Sequence, residues 1–108
     1  MNSREKGKRG EREFRDVLRE AGYCKTFRGV QFRGGRDSPD VICPELPEIH
    51  WEVKRSQKSK PLDWMIQANA DCRERKPIVV WKRNNSPWIA FITVRDLLEI
   101  IRRSDLPR

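Results

Sequence analysis

The chain has 108 residues, which is enough for one domain with a modest core. Its 24 Lys or Arg against 16 Asp or Glu give a net charge of +8, which favours a polyanionic partner, most often a nucleic acid. Three scattered cysteines and one histidine argue against a zinc site or a disulfide framework, and no signal peptide or membrane-spanning run is visible. We therefore expect a single cytoplasmic domain over 1–108, with neither a membrane nor a small molecule as its partner.

The first half of the chain predicts one helix and three strands. Apolar residues recur at helical spacing up to a glycine that suits a helix end: Phe14, Val17, Leu18 and Ala21, followed by Gly22. A short strand is predicted over 23–28, and the arginines and glycines of RGVQFRGGRDSP form a basic loop after it. Further strands are predicted over 40–43 and 49–54, the second with alternating apolar residues. Residues 1–8 are rich in Lys and Arg and are expected to form a flexible basic arm.

The second half predicts a helix, a hairpin and a last helix. Pro61 suits the first position of a helix that extends to about Arg75. PIVVWK is a strand, and WIAFI is its hairpin partner after the turn RNNSP. Thr93 is suited to cap the final helix. The order α-β-β-β-α-β-β-α predicts an α/β fold, a single small domain with a mixed central β-sheet flanked by helices.

A candidate site lies in the stretch SPDVICPELPEIHWEVKRSQ. Asp40 begins one strand of a predicted hairpin and Glu52 lies on the other, so strand pairing can bring the two carboxylates together. Lys54 shares a face with Glu52, because residues two apart in a strand point the same way. Carboxylate oxygens suit Mg²⁺ or Mn²⁺, and a lysine beside the ion can hold an attacking water. The alternative interpretation is the solvated polar face of an ordinary hairpin. His50 has no partner histidine, and no role is predicted for it.

Two motifs resemble those of known nucleases. The pair Pro39–Asp40 followed by EVK at 52–54 resembles the PD-(D/E)xK signature. The opening KGKRGEREF resembles the K-G-x-x-x-E-R-E start of the archaeal-type Holliday junction resolvases, which also occur in phages, and the order of elements agrees with that family. The resemblance implies a restriction-endonuclease-like core and a DNA endonuclease dependent on Mg²⁺ or Mn²⁺. It also implies branched DNA as the substrate, and 5′-phosphate and 3′-hydroxyl products.

The resemblance assigns a role to each matching residue. Asp40, Glu52 and the backbone carbonyl of Val53 would hold the metal, and Lys54 would orient the hydrolytic water. Glu11 would bind the metal through water or hold a second ion.

For two further residues, Glu13 and Gln67, the sequence does not decide whether they belong to the site. Glu13 is a rival of Glu11, because both flank the apolar stripe of the first helix. Gln67 resembles the helix glutamine or lysine that related nucleases direct at the site, although it lies opposite the apolar stripe of its own helix.

Basic and polar residues outside the acidic cluster are the candidates for DNA binding. They are Arg28, Arg33, Arg36, Ser38, Arg55, Lys58, Lys60, Lys8 and Arg9. The run 25–36 contains no acidic residue, and its glycines let the backbone approach a phosphate. Solvated basic segments without function are the alternative interpretation.

A four-way DNA junction presents two symmetric strands to cut, so a junction-cleaving enzyme is expected to be a homodimer. Two other functions remain open. One is a VRR-NUC-like, restriction-type or nicking nuclease that uses the same ligands on other DNA structures. The other is a non-catalytic DNA-binding protein in which the acidic residues only stabilise the hairpin.

Overall fold

The computed structural model describes residues 3–29 and 39–107, which form three helices and five strands. In chain order these are α1 (Ser3–Glu20), β1 (Phe27–Arg28), β2 (Val41–Ile42), β3 (Ile49–Arg55), α2 (Pro61–Asp71), β4 (Lys76–Lys82), β5 (Ile89–Phe91) and α3 (Val94–Arg103). The predicted order of elements and the predicted α/β fold class are both confirmed. None of the helices in the described residues combines the length and apolar character that crossing a membrane requires.

The strands form one mixed sheet in the order β1-β2-β3-β4-β5. Strand β2 pairs antiparallel with β3, with Val41 opposite Trp51, and β4 pairs antiparallel with β5. Strands β3 and β4 are parallel from the pair Ile49–Lys76 to the pair Arg55–Lys82. Parallel neighbours need a crossover, and α2 supplies it. Both predicted hairpins are present, and β3 lies at the centre of the sheet.

Helix α1 covers one face of the sheet through its apolar stripe. Phe14 and Leu18 are buried in one cluster with Trp51, and the ring of Phe14 lies 5.1 Å from that of Trp51. Burial of each such side chain stabilises the fold by roughly 1.5–3 kcal/mol. Gly10 allows the close approach, because a Cβ atom there would lie 2.9 Å from the Cβ of Arg55. The same contact brings the neighbouring glutamates of α1 to the end of β3.

Helix α2 packs on the opposite face, against β4. Ala68 is fully buried, and the ring of Trp64 lies 6.3 Å from that of Trp81 on β4. Trp81 is the β4 partner of Lys54, so this is also the face of the even-numbered residues of β3. His50 is 0 % exposed here. This face is therefore not the solvated polar face of the alternative interpretation at the position of His50.

Two boundaries differ from the prediction. Helix α2 ends at Asp71 and not near Arg75, because Arg73 adopts a left-handed φ of 54°. Glycine normally marks such a stop, and an arginine gives no signal for it in the sequence. Helix α1 begins at Ser3, so the stretch predicted as a flexible arm is helical from residue 3 onward.

Candidate active site

Asp40 is fixed at the entry of β2 by hydrogen bonds on both sides. Its amide donates to the carbonyl of Trp51 at 3.0 Å, and its own carbonyl accepts from the amide of Gly29 at 2.9 Å. Its side-chain Oδ2 accepts from the amide of Val53 at 2.9 Å. The carboxylate of Asp40 is therefore held against the part of β3 that carries Glu52.

Asp40 and Glu52 form a close carboxyl pair. Burial is the main cause that raises the pKa of Asp40 from 3.8 to about 8, and the negative charge of Glu52 is the next. The Val53 amide acts in the opposite direction, while a hydrogen bond with Glu52 and the charge of Glu11 raise the pKa further. In the absence of a cation, Asp40 is therefore protonated at neutral pH.

Glu52 has a second partner that the sequence did not suggest. Its Oε1 lies 2.7 Å from Nε2 of His50, and the two side chains are 14 % and 1 % exposed. A histidine without a second histidine looks incidental in the sequence, but the partner of His50 is a carboxylate. The signal that could have identified it is its spacing, since a residue two positions before a candidate ligand on a strand lies beside that ligand.

The two glutamates of α1 have different surroundings. Glu11 Oε1 accepts from Nε and Nη2 of Arg28, at 3.2 and 3.1 Å. Glu13 instead accepts from Nε of Arg55 at 3.4 Å. The charge of Glu11 contributes to the raised pKa of Asp40, and Glu13 is not among the causes. The geometry therefore favours Glu11 over Glu13 as the third acidic residue.

Lys54 lies two residues beyond Glu52 on the same face of β3. It is half-buried and forms no ion pair within the ranges 3–29 and 39–107. Its ammonium group therefore remains available to a phosphate or a water. Gln67 is exposed, and its side chain donates to Oδ2 of Asp71 at 3.0 Å.

The predicted DNA-contacting residues fall into three groups. Three of them lie outside the described residues: Arg33, Arg36 and Ser38. Four are exposed or half-buried at the surface: Lys8, Arg9, Lys58 and Lys60. The other two, Arg28 and Arg55, are engaged within the protein. The side chain of Arg55 is 4 % exposed and donates to Oδ1 of Asn84 at 2.9 Å, so its placement does not favour the expected DNA contact.

The donors around Asp40 suit a hard divalent cation. Among the described residues, no group of three or more His, Cys, Asp or Glu side chains that could hold a metal ion is present. The protein would supply Asp40, Glu52 and the carbonyl of Val53, and would leave further positions to water and phosphate oxygens. Mg²⁺ favours such a partly hydrated site, and its charge would offset the repulsion that raises the pKa of Asp40.

Comparisons with known proteins bear on the fold and the family of the chain. The crystal structure of Hjc, a Holliday junction resolvase from the archaeal hyperthermophile Archaeoglobus fulgidus, is similar with a TM-score of 0.57 and 24 % identity. The match covers 81 % of this chain and 72 % of that chain. The chain therefore shares its fold with this resolvase. The profile of the family described as "Phage putative PDDEXK endonuclease" matches residues 2–107, and the chain belongs to this family. No curated protein sequence matches it.

Two glycines give a test of how Asp40 is positioned. A Cβ atom at Gly29 would lie 2.0 Å from the carbonyl oxygen of Pro39, so Gly29→Ala must displace the backbone next to Asp40. We expect this change to cost about 1–3 kcal/mol, as for other overpacked sites. Gly7 in α1 is the control, because a Cβ there meets nothing within 4 Å and alanine favours a helix by about 0.5–1 kcal/mol. Thermal unfolding should separate the two variants in opposite directions, and equal melting temperatures would contradict this account.

Proposed function

We propose that this protein is a Mg²⁺-dependent DNA endonuclease that cuts branched DNA as a Holliday junction resolvase acting in the bacterial cytoplasm. Membership of a PD-(D/E)xK endonuclease family supports the reaction class. The observation that carries the proposal is the buried pair of Asp40 and Glu52, which lies beside Glu11 on a chain with a net charge of +8. A non-catalytic protein would gain nothing from burying two repelling carboxylates.

Asp40, Glu52 and the carbonyl of Val53 would hold the cation, with Glu11 acting through water or at a second ion. The bound cation would supply charge stabilisation for the phosphate and lower the pKa of a bound water. Lys54 would orient the attacking water and offset the charge that develops on the phosphate oxygens. The water would lose a proton to solvent as its oxygen forms a bond to phosphorus. The bond from phosphorus to the 3′ oxygen would break and that oxygen would take up a proton from solvent, which gives a 5′-phosphate and a 3′-hydroxyl.

DNA binding would rest on two sets of basic residues. One set is accessible at the surface and consists of Lys8, Arg9, Lys58 and Lys60. The other set, Arg33 and Arg36, precedes Asp40 in the sequence. If Arg33 and Arg36 contact phosphates, replacing both with Gln should weaken binding to all DNA structures alike. The slope of log affinity against log salt should fall by roughly 0.9 for each phosphate that the variant no longer neutralises on duplex arms. Glu20→Gln on exposed α1 is a control that should leave the slope unchanged. Fluorescence anisotropy over a salt series measures the slope, and an unchanged affinity in the double Arg variant would show that Arg33 and Arg36 do not contact DNA.

We also propose that two copies act together, because a four-way junction requires two symmetric cuts. Large apolar side chains are exposed on two helices: Leu62 (72 %) and Ile66 (62 %) on α2, and Val94 (70 %) and Leu98 (54 %) on α3. Burial of such side chains in an interface is favourable.

Sedimentation analysis should show a dimer of this 12.9-kDa chain. Leu62→Glu with Ile66→Glu, or Val94→Glu with Leu98→Glu, should shift it to a monomer, whereas a charge change at Asp63, exposed on α2, should not. A monomeric wild type on junction DNA would contradict the proposed dimer.

Cleavage of a panel of synthetic DNAs with Mg²⁺ tests the proposal. The panel contains a four-way junction, a flap, a nicked duplex and a linear duplex of the same sequence. Paired nicks in opposite strands of the junction are the expected result. Preferred cleavage of the flap or of duplex DNA would indicate a VRR-NUC-like or restriction-type activity, and binding without cleavage of any substrate would indicate a DNA-binding protein.

A further inference from the structure

His50 occupies an unusual environment for a histidine. The residue is 0 % exposed, yet only one of its ring nitrogens has a partner. Nε2 lies 2.7 Å from Oε1 of Glu52, and Nδ1 has no hydrogen-bond partner among the described residues. A buried polar atom without a partner reduces stability. An apolar residue would therefore serve the core better at this position if packing were its whole role.

The single hydrogen bond defines the orientation of Glu52. A carboxylate accepts hydrogen bonds, so Nε2 of His50 is the donor and Oε1 of Glu52 is the acceptor. His50 lies two residues before Glu52 on the same face of β3, and its buried ring cannot turn toward solvent. Oε1 is thereby engaged by the ring. Glu52 also shares a hydrogen bond with Asp40, and a bound cation would take the place of that bond.

We propose that His50 is a positioning residue that holds the Glu52 carboxylate so that Oε2 is presented to the divalent cation. The inference rests on the proposed function, because it requires Glu52 to be a metal ligand. Hydrogen bonds of this kind orient ligating groups at metal sites, and their loss typically lowers metal affinity 10–100-fold.

Three variants at position 50 test this role. His50→Leu removes the donor and fills the space with an apolar side chain. His50→Gln keeps an N–H donor near the position of Nε2. His50→Asn is polar but too short to reach it, and it takes the place of the leucine variant if that variant does not fold.

The first measurement is titration calorimetry with Mn²⁺ on the whole chain without DNA. We expect His50→Leu and His50→Asn to lose 10–100-fold in Mn²⁺ affinity, and His50→Gln to stay within about threefold of wild type. The second is thermal unfolding without metal, in which His50→Leu should stay close to wild type, because removing the unpartnered nitrogen offsets the loss of the hydrogen bond to Glu52. A purely structural role predicts the reverse, with reduced stability and unchanged affinity.

Junction cleavage then separates this inference from the proposed function. The leucine variant should need 10–100-fold more Mg²⁺ for half-maximal rate and should approach the wild-type rate when Mg²⁺ is saturating. If wild type binds Mn²⁺ and cleaves while the leucine and asparagine variants match it in Mn²⁺ affinity, His50 has no positioning role. If wild type binds no Mn²⁺ and cleaves no DNA, the proposed function and this inference both fail.

Discussion

Asp40→Asn and Glu52→Gln are each expected to slow DNA cleavage by roughly 10³-fold or more, and Lys54→Ala by roughly 10²–10³-fold. Asparagine at position 40 retains an oxygen that can accept from the Val53 amide, so the local structure should survive. What disappears is the negative charge that would hold the cation. These variants should bind junction DNA with affinities close to that of wild type.

Single-turnover cleavage with Mg²⁺ and anisotropy without it measure the two effects separately. Glu20→Gln is the matched control, because Glu20 is an exposed carboxylate at the end of α1 and should leave the rate unchanged. Wild-type turnover by Asp40→Asn would end the assignment of this site. Parallel loss of binding and cleavage would instead indicate a structural role for the acidic pair.

As the pH is raised toward about 8, the affinity for Mg²⁺ is expected to increase about tenfold per pH unit. Above about 8 the affinity should level off. The pKa of Asp40 is raised to about 8, chiefly by burial and then by the charge of Glu52. The metal-free site therefore binds a proton at neutral pH, and the cation must displace it. Titration calorimetry from pH 6 to 9 measures this dependence, and buffers of different ionisation enthalpy report the released proton. A pH-independent affinity would contradict the shared burial of the two carboxyl groups.

The same raised pKa predicts how stability depends on pH. The folded protein binds the Asp40 proton more tightly than the unfolded chain, whose ordinary pKa is 3.8. The contribution of Asp40 to stability is therefore fully present below pH 3.8 and is lost as the pH rises toward about 8. Without metal, Asp40→Asn should be more stable than wild type at pH 8, and each 1 kcal/mol gained raises the melting temperature by about 4–8 °C in a domain of this size. Added Mg²⁺ should then stabilise wild type and not the variant.

The order of elements could be predicted from the sequence because each one follows a local pattern. The stripe around Phe14 and Leu18 predicts α1, and the alternation around Trp51 predicts β3. Both hairpins follow from short turns between apolar strands. Local sequence patterns do not show where contacts between elements offset the cost of an unfavourable backbone angle. The left-handed conformation of Arg73, which ends α2, could therefore not be predicted.

The candidate site was predictable only in part. The spacing of Asp40 and Glu52 in a hairpin indicates that two carboxylates can meet, and the resemblance supplies their roles. Burial on this face of the sheet depends on tertiary packing, so the burial of His50 could not be predicted from alternation in β3 alone. The internal pairing of Arg55 with Glu13 likewise depends on how α1 crosses the sheet, and a count of basic residues does not reveal it.

The most direct test is a crystal structure of the wild-type protein soaked with Mn²⁺ at pH 8, with anomalous data collected at the manganese edge. We expect an anomalous peak about 2.1 Å from a carboxylate oxygen of both Asp40 and Glu52. A peak bound elsewhere, or no peak at a saturating Mn²⁺ concentration, would contradict the proposed metal site.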